Sequence, residues 1–272
     1  MGFHCVDCVA ADRRAQAAHA PAAGTAAAGT GLFRPVITYV LIALNVLIYL
    51  ITVVQSGDLM NNQVGSSLFN DWSLIPGLVA DGEYFRLLGS GFLHFGPIHL
   101  LANMYALYVV GGLCEQALGR WRYLAIYLLS LLGGAAAVMY GAWNAQTAGA
   151  SGAVFGLFGA VLILLVRNKR SPAMIGTVIV LNVVISLTVP GISLAGHLGG
   201  LVAGTVATAA VAYAPEILRT VGVRPGSPAL FNRFGIGVLV VIGAAELTML
   251  AVQIAQMRAD IAPLTYSQIL IF

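Results

Sequence analysis

Residues 192–213 read ISLAGHLGGLVAGTVATAAVAY, a run with no Asp, Glu, Lys or Arg and a single histidine, His197. Its length meets the roughly 20 residues an α-helix needs to cross a hydrocarbon core at about 1.5 Å rise per residue. Gly196, Gly200 and Gly204 recur at every fourth position, the small-xxx-small pattern that lets helices pack closely in lipid. The same ruler finds six more runs, near Val36–Val54, Ile98–Leu118, Tyr123–Ala142, Gly149–Val166, Ala173–Pro190 and Phe234–Gln256. Composition agrees. Charged residues make up 8% of the 272, with a mean hydropathy of +0.91. A soluble domain carries roughly 25%, so these charges cannot clothe one. Disorder is excluded because it needs low hydrophobicity and high charge. The fold class is therefore all-α, a polytopic membrane helix bundle. The net charge of +3 is scattered without a basic stripe, which excludes nucleic acid as a partner and leaves the lipid bilayer.

Orientation follows from Lys and Arg in the connections. With the N-terminus in the cytoplasm, Arg13, Arg14, Arg34, Arg120, Arg122, Arg167, Lys169, Arg170, Arg219, Arg224 and Arg233 lie inside, 11 of 13 basic residues. Only Arg86 and Arg258 fall outside, and the reverse orientation inverts the bias. The first run is no signal peptide, being too long and following a polar tail. The expected localisation is the plasma membrane, as a multi-pass protein.

The connection from Gln55 to Pro97 is far longer than an ordinary connector of about 4–6 residues. It mixes turn signals (Asn61-Asn62, Pro76-Gly77, Asp81-Gly82) with apolar patches such as Phe92-Leu93, and reads as a loop partly in the membrane interface. No repeat suggests the paired halves of a transporter.

Polar residues inside spans are costly and default to functional hypotheses. Here they are Asn45, His99, Asn103, Glu115, Ser151, Asn182, His197 and Glu246, with His94 just before the second span. Spans two, four and six all run from outside to inside, so His99, Asn103, Ser151 and His197 converge near the outer face. His197 is about five residues in, roughly 7–8 Å deep. A serine, two histidines and an asparagine at one depth suit nucleophilic acyl transfer. A serine hydroxyl needs a base within hydrogen-bond reach, and neutral imidazole serves near pH 7. Asn and His donors can stabilise an oxyanion. No carboxylate shares this depth, so the reading is a Ser–His dyad. Gly149-Ala150-Ser151-Gly152 places Ser151 at a helix N-terminus, where free N–H groups favour negative charge. Asn45 and Asn182 read as residues bonding between helices, Glu246 as a structural residue with no evident partner, and Cys114 as packing.

Three motifs now carry a resemblance: His94-Phe-Gly-Pro-Ile-His99-Leu-Leu-Ala-Asn103, Gly149-Ala-Ser151-Gly152 and Gly196-His197-Leu-Gly-Gly200. Together, in this order, they resemble the rhomboid family of intramembrane serine proteases, over residues 34 to 214. The resemblance implies a six-helix core, here with a seventh transmembrane helix added (6+1). It implies domains at 1–33 (flexible cytoplasmic tail), 34–214 (protease core), 215–233 (cytoplasmic connector) and 234–272 (seventh helix and C-terminal tail). It implies Ser151 as nucleophile, His197 as general base, and His99, Asn103 and the Ser151 N–H as oxyanion donors. Gly149 corresponds to the glycine of the Gly-x-Ser signature. His94 takes a structural or water-handling role, Arg86 braces the first loop, and Glu115 ties helices together at the inner face. The implied reaction is hydrolysis of peptide bonds in or beside transmembrane helices of membrane-protein substrates, without a cofactor, at a site open to the outer face. The alternative is an inactive rhomboid-like protein that binds or escorts membrane helices. The chain departs from the family pattern at Phe155, where many members have a tyrosine stacked on the catalytic histidine, and at Phe85, where the first-loop signature has tryptophan.

His4, Cys5 and Cys8 resemble the tail of a zinc-ribbon segment but fall short of the four ligands that structural zinc takes. No metal site is expected from Cys5 and Cys8 as they stand. The reading is a metal-free tail; the alternative expectation is a natural chain that starts upstream of Met1 and carries the missing ligands there.

Overall fold

The computed structural model describes residues 33–141, 143–220, 222 and 228–269, the side chains of 228, 229 and 261–269 excepted. The tail with His4, Cys5, Cys8, Arg13 and Arg14, together with Ala142 and Arg224, lies outside the described residues.

Each apolar run forms a helix. In chain order these are α1 (Val36–Ser56), three short helices α2 (Ser67–Trp72), α3 (Pro76–Ala80) and α4 (Arg86–Gly89), then α5 (Gly96–Ala106) and α6 (Gly112–Leu118), joined by a π-helical turn at Leu107–Gly111. There follow α7 (Arg120–Val138), α8 (Ser151–Arg167), α9 (Ala173–Thr188), α10 (Leu194–Ala212), α11 (Ala214–Thr220) and α12 (Pro228–Ile269). Five rods are long and apolar enough to cross a membrane: α1, Gly96–Leu118, α7, α10 and Leu230–Asp260 within α12. α8 and α9 are apolar but shorter, at 17 and 16 residues, about 25 Å each. The architecture is an all-α polytopic membrane bundle; among the described residues the only β pairing is the single bridge Leu74–Thr147.

Three helices form its central wall because glycine lets their backbones touch. A Cβ on Gly134 of α7 would sit 2.8 Å from Gly196 O of α10, and one on Gly152 of α8 would sit 3.2 Å from the same oxygen. On Gly200 or Gly204 of α10 it would run into the backbone of Gly152 or Gly156 of α8. In lipid, where apolar burial gives little drive for helix association, this close van der Waals contact is what holds helices together.

The outer helices attach to this wall by polar contacts. Pro35 cannot cap α1 with its side chain, so its first N–H groups need partners from elsewhere. Glu115 of α6 supplies them: Oε1 accepts from Ile37 N–H (3.0 Å), and Oε2 accepts from Thr38 N–H and Thr38 Oγ1–H (2.9 Å each). Asn182, expected to bond between helices, instead donates to Val178 O one turn back in its own helix, whereas Asn45 donates to Leu41 O and also interacts with the Tyr127 hydroxyl of α7. A mid-helix amide finds that carbonyl within reach without any partner helix.

The 57–95 loop is built rather than loose. The Arg86 guanidinium is buried inside it, donating to Ser73 O (2.8 Å), to Asn70 O and to Glu83 Oε2 (2.7 Å). Leu74 and Thr147 exchange two backbone hydrogen bonds of 2.9 Å, and Gly149 N–H donates to Ser90 O at 2.9 Å. These bonds fix the segment leading into α8. α12 packs on α7 and α10 and continues past its expected end near Gln256, where Arg258 donates to Ala80 O and to Tyr84 Oη (2.9 Å). Glu246, 9% exposed, faces Gly133 of α7.

Candidate active site

The N-terminal turns of α5, α8 and α10 open onto one cavity of about 790 Å³, lined among others by His99, Asn103, Gly149, Ser151, Phe155 and His197. Each residue reaches it for a local reason. Ser151 is the first residue of α8, so the N–H groups of that turn have no partner in the helix. Ser193 caps α10 by accepting from Gly196 N–H at 3.1 Å, which starts the helix just before His197.

Gly149 holds φ +134°, a conformation open to glycine alone. A Cβ there would lie 2.8 Å from His99 Cε1, 3.0 Å from His99 Nε2 and 3.6 Å from Ser151 Oγ. The bare α-carbon therefore lets the His99 ring and the Ser151 hydroxyl face the same small space.

The hydrogen bonds of His99 settle which of its nitrogens carries the proton. Its Nδ1 accepts from Phe95 N–H at 3.2 Å. A neutral imidazole accepting at one nitrogen donates from the other, so Nε2–H points toward Gly149 and Ser151. Phe95 stacks on the same ring at 6.2 Å between centroids, and His94 meets its edge at 5.0 Å. His94 is fully buried in the loop before α5. Burial pushes its imidazole down to about 3, with His99 adding to the effect, so the ring is neutral at any physiological pH. One hydrogen of the Asn103 amide goes to His99 O at 2.9 Å. The second is left to serve the cavity.

Phe155 stacks on His197, with centroids 4.1 Å apart and planes 15° from parallel. Since Phe155 lies one turn below Ser151 on the same face of α8, the imidazole sits on the Ser151 side. Tight helix packing was expected to bring Ser151 and His197 into bonding distance. Among the described residues no hydrogen bond joins them, although both line the cavity. Nucleophile and base are often looser without substrate and tighten when it binds. Arg86 and Glu115 lie outside the cavity, one within the loop and the other against α1.

Sequence reasoning missed Ser186 of α9, whose Oγ lies 2.7 Å from His197 Nδ1. The signal was a hydroxyl one turn after Asn182, in a span whose other hydroxyls, Thr177 and Thr188, bond only to their own helix, the usual outcome for such residues.

Comparison with known proteins bears on the whole arrangement. The Rhomboid domain family model matches residues 81–214. The chain is 35% identical over 184 residues to Rhomboid protease GluP of Bacillus subtilis, covering 65% of this chain and 35% of that protein. It is 36% identical over 137 residues to RHOMBOID-like protein 5 of Arabidopsis thaliana, covering 47% of this chain and 44% of the relative. To Rhomboid protease AarA of Providencia stuartii it is 30% identical over 212 residues, covering 67% of this chain and 75% of the relative. The chain thus spans about a third of GluP and under half of the plant protein, but three quarters of AarA. With the matched domain enclosing Gly149, Ser151 and His197, and a like-sized relative aligned over most of its length, the chain belongs to the rhomboid family.

Proposed function

We propose that this protein is an intramembrane serine endopeptidase that cleaves peptide bonds in or beside the transmembrane helices of membrane-protein substrates. The observation that carries the reading is the shared cavity, in which the Ser151 hydroxyl, a stacked His197 and the His99 Nε2–H donor meet behind Gly149. His197 Nε2 takes the Ser151 proton as Oγ attacks the scissile carbonyl carbon. The oxyanion is held by the Ser151 N–H, His99 Nε2–H and the second Asn103 N–H, a set of donors whose charge stabilisation is often the largest single contribution to rate. His197 then returns the proton to the departing amine, leaving an acyl-Ser151 ester. Water, deprotonated by the same imidazole, hydrolyses that ester.

In this reading the N-terminus is cytoplasmic, the protein resides in the plasma membrane, and the cavity opens to the outer face. The supporting observation is the basic residues, 11 of 13 on the opposite side.

A fluorophosphonate probe tests the proposal directly. Purified protein should label at Ser151, and labelling should vanish in Ser151→Ala and fall sharply in His197→Ala. An unlabelled Ser151, in a protein that cleaves no helical substrate, leaves the reading of a helix-binding or escorting protein instead.

A further inference from the structure

We infer that Ser186 on α9 is a positioning residue for His197, fixing the tautomer and orientation of the base; the inference deepens the protease reading and rests on it. The Ser186 hydroxyl has one proton and two close neighbours, Asn182 O at 2.7 Å and His197 Nδ1 at 2.7 Å. A carbonyl oxygen only accepts. Two oxygens this close repel unless a proton lies between them, so the Ser186 proton goes to Asn182 O. Its lone pair must then accept from His197 Nδ1–H. The consequence falls on the other nitrogen: Nε2 is unprotonated and turned to the cavity as an acceptor, which is what a general base for Ser151 requires. In serine proteases with a triad, a carboxylate does this work at the far side of the imidazole. Here a neutral hydroxyl takes that place, itself anchored to a helix carbonyl.

The rest of the ring's surroundings support the role. Phe155 fixes the plane of the imidazole from one face, but stacking does not choose between tautomers. Ser186 and His197 are both buried, at 7% and 8% exposure, at the wall of the cavity, so the hydroxyl is the fixed hydrogen-bond partner of Nδ1. The bond also crosses between helices. Ile175 and Ser186 are the only buried side chains of α9, so one of two interior anchors of that helix is the contact that sets the base. Displacing α9 by more than about 1 Å breaks a 2.7 Å hydrogen bond and releases the imidazole, which makes the readiness of the base depend on where α9 stands.

The test separates this from the protease reading. In Ser151→Ala protein carrying ¹⁵N-labelled histidine, NMR should find His197 protonated at Nδ1, with the signal assigned by its loss in Ser151→Ala/His197→Gln. Adding Ser186→Ala should convert it to a mixture of tautomers. In the active protein, Ser186→Ala should lower kcat about tenfold to a hundredfold, as displaced catalytic groups do, with KM within about twofold. Ser186→Thr, which keeps the hydroxyl, should recover most of the lost rate. The inference is overturned if Ser186→Ala leaves the His197 signal unchanged, if it leaves kcat unchanged, or if Ser186→Thr is as slow as Ser186→Ala. If the parent protein cleaves nothing while the tautomer still depends on Ser186, the protease reading alone falls.

Discussion

Replacing Ser151 by alanine should lower peptide cleavage by about ten-thousandfold or more, and replacing His197 should do nearly the same. The reason is that nucleophile and base act as a unit: an unactivated hydroxyl attacks an amide hardly better than water, and a base with no nucleophile has nothing to deprotonate. The informative variant is therefore the double one. Ser151→Ala/His197→Ala should lose no more activity than the worse single variant, because the second substitution removes an already idle partner. Stability is not expected to follow activity. Ser151 begins its helix and lines a cavity, so Ser151→Ala should stay within about 0.5 kcal/mol of the parent on denaturant unfolding. Quantitative cleavage of a single-span substrate by the four proteins decides the matter. Losses that multiply would mean that the two residues contribute separately, and the proposed mechanism would be wrong.

The second large effect is on the fold itself. Gly200→Ala places a methyl group inside the contact radius of the Gly152 backbone. Neither partner is a flexible side chain, so helices α8 and α10 must move apart. Overpacking of this kind typically costs about 1–3 kcal/mol. Activity should suffer more than stability, because these two helices carry Ser151 and His197, and a 1 Å misplacement can cost about a hundredfold in rate. Gly176→Ala in α9 is the matched control. Nothing lies within 4 Å of its Cβ position, so removing a helical glycine there should be neutral or stabilise by up to about 1 kcal/mol. A Gly200→Ala protein that unfolds at the parent midpoint and cleaves at the parent rate would contradict the packing described here.

Much of this molecule is legible from hydropathy alone, because lipid enforces helices wherever a long apolar run occurs. The fourth run, expected at Gly149–Val166, forms Ser151–Arg167. The third begins at Arg120 rather than Tyr123, since Gly119 at φ +81° already turns the chain into the helix. The seventh overshoots most, as Ala, Gln, Met and Arg after residue 250 continue a helix with or without a bilayer around them. The expected grouping of His99, Asn103, Ser151 and His197 has its counterpart in the structure, where all four line one cavity.

Proton positions and partners were not readable. The tautomer of His99 depends on a backbone N–H at Phe95, and that of His197 on a hydroxyl 11 residues away on another helix. Such information sits in how helices are rotated against one another. A hydropathy profile averages that rotation away.

The two-point attachment of α9 has a consequence for how such a sequence drifts. At Gly199, Gly200 and Gly204 the wall of α7, α8 and α10 has backbone within about 2.4 Å of any added Cβ, so its alphabet is narrow there. Of α9 only Ile175 and Ser186 are fully buried, with Val178, Ile179 and Val183 half-buried against the core and Asn182 and Ile185 at the cavity, and almost any lipid-compatible residue serves at its outward positions. Neutral change should therefore collect on the outward side of α9 while the wall stays still, leaving Ser186 as a fixed letter beside a free text.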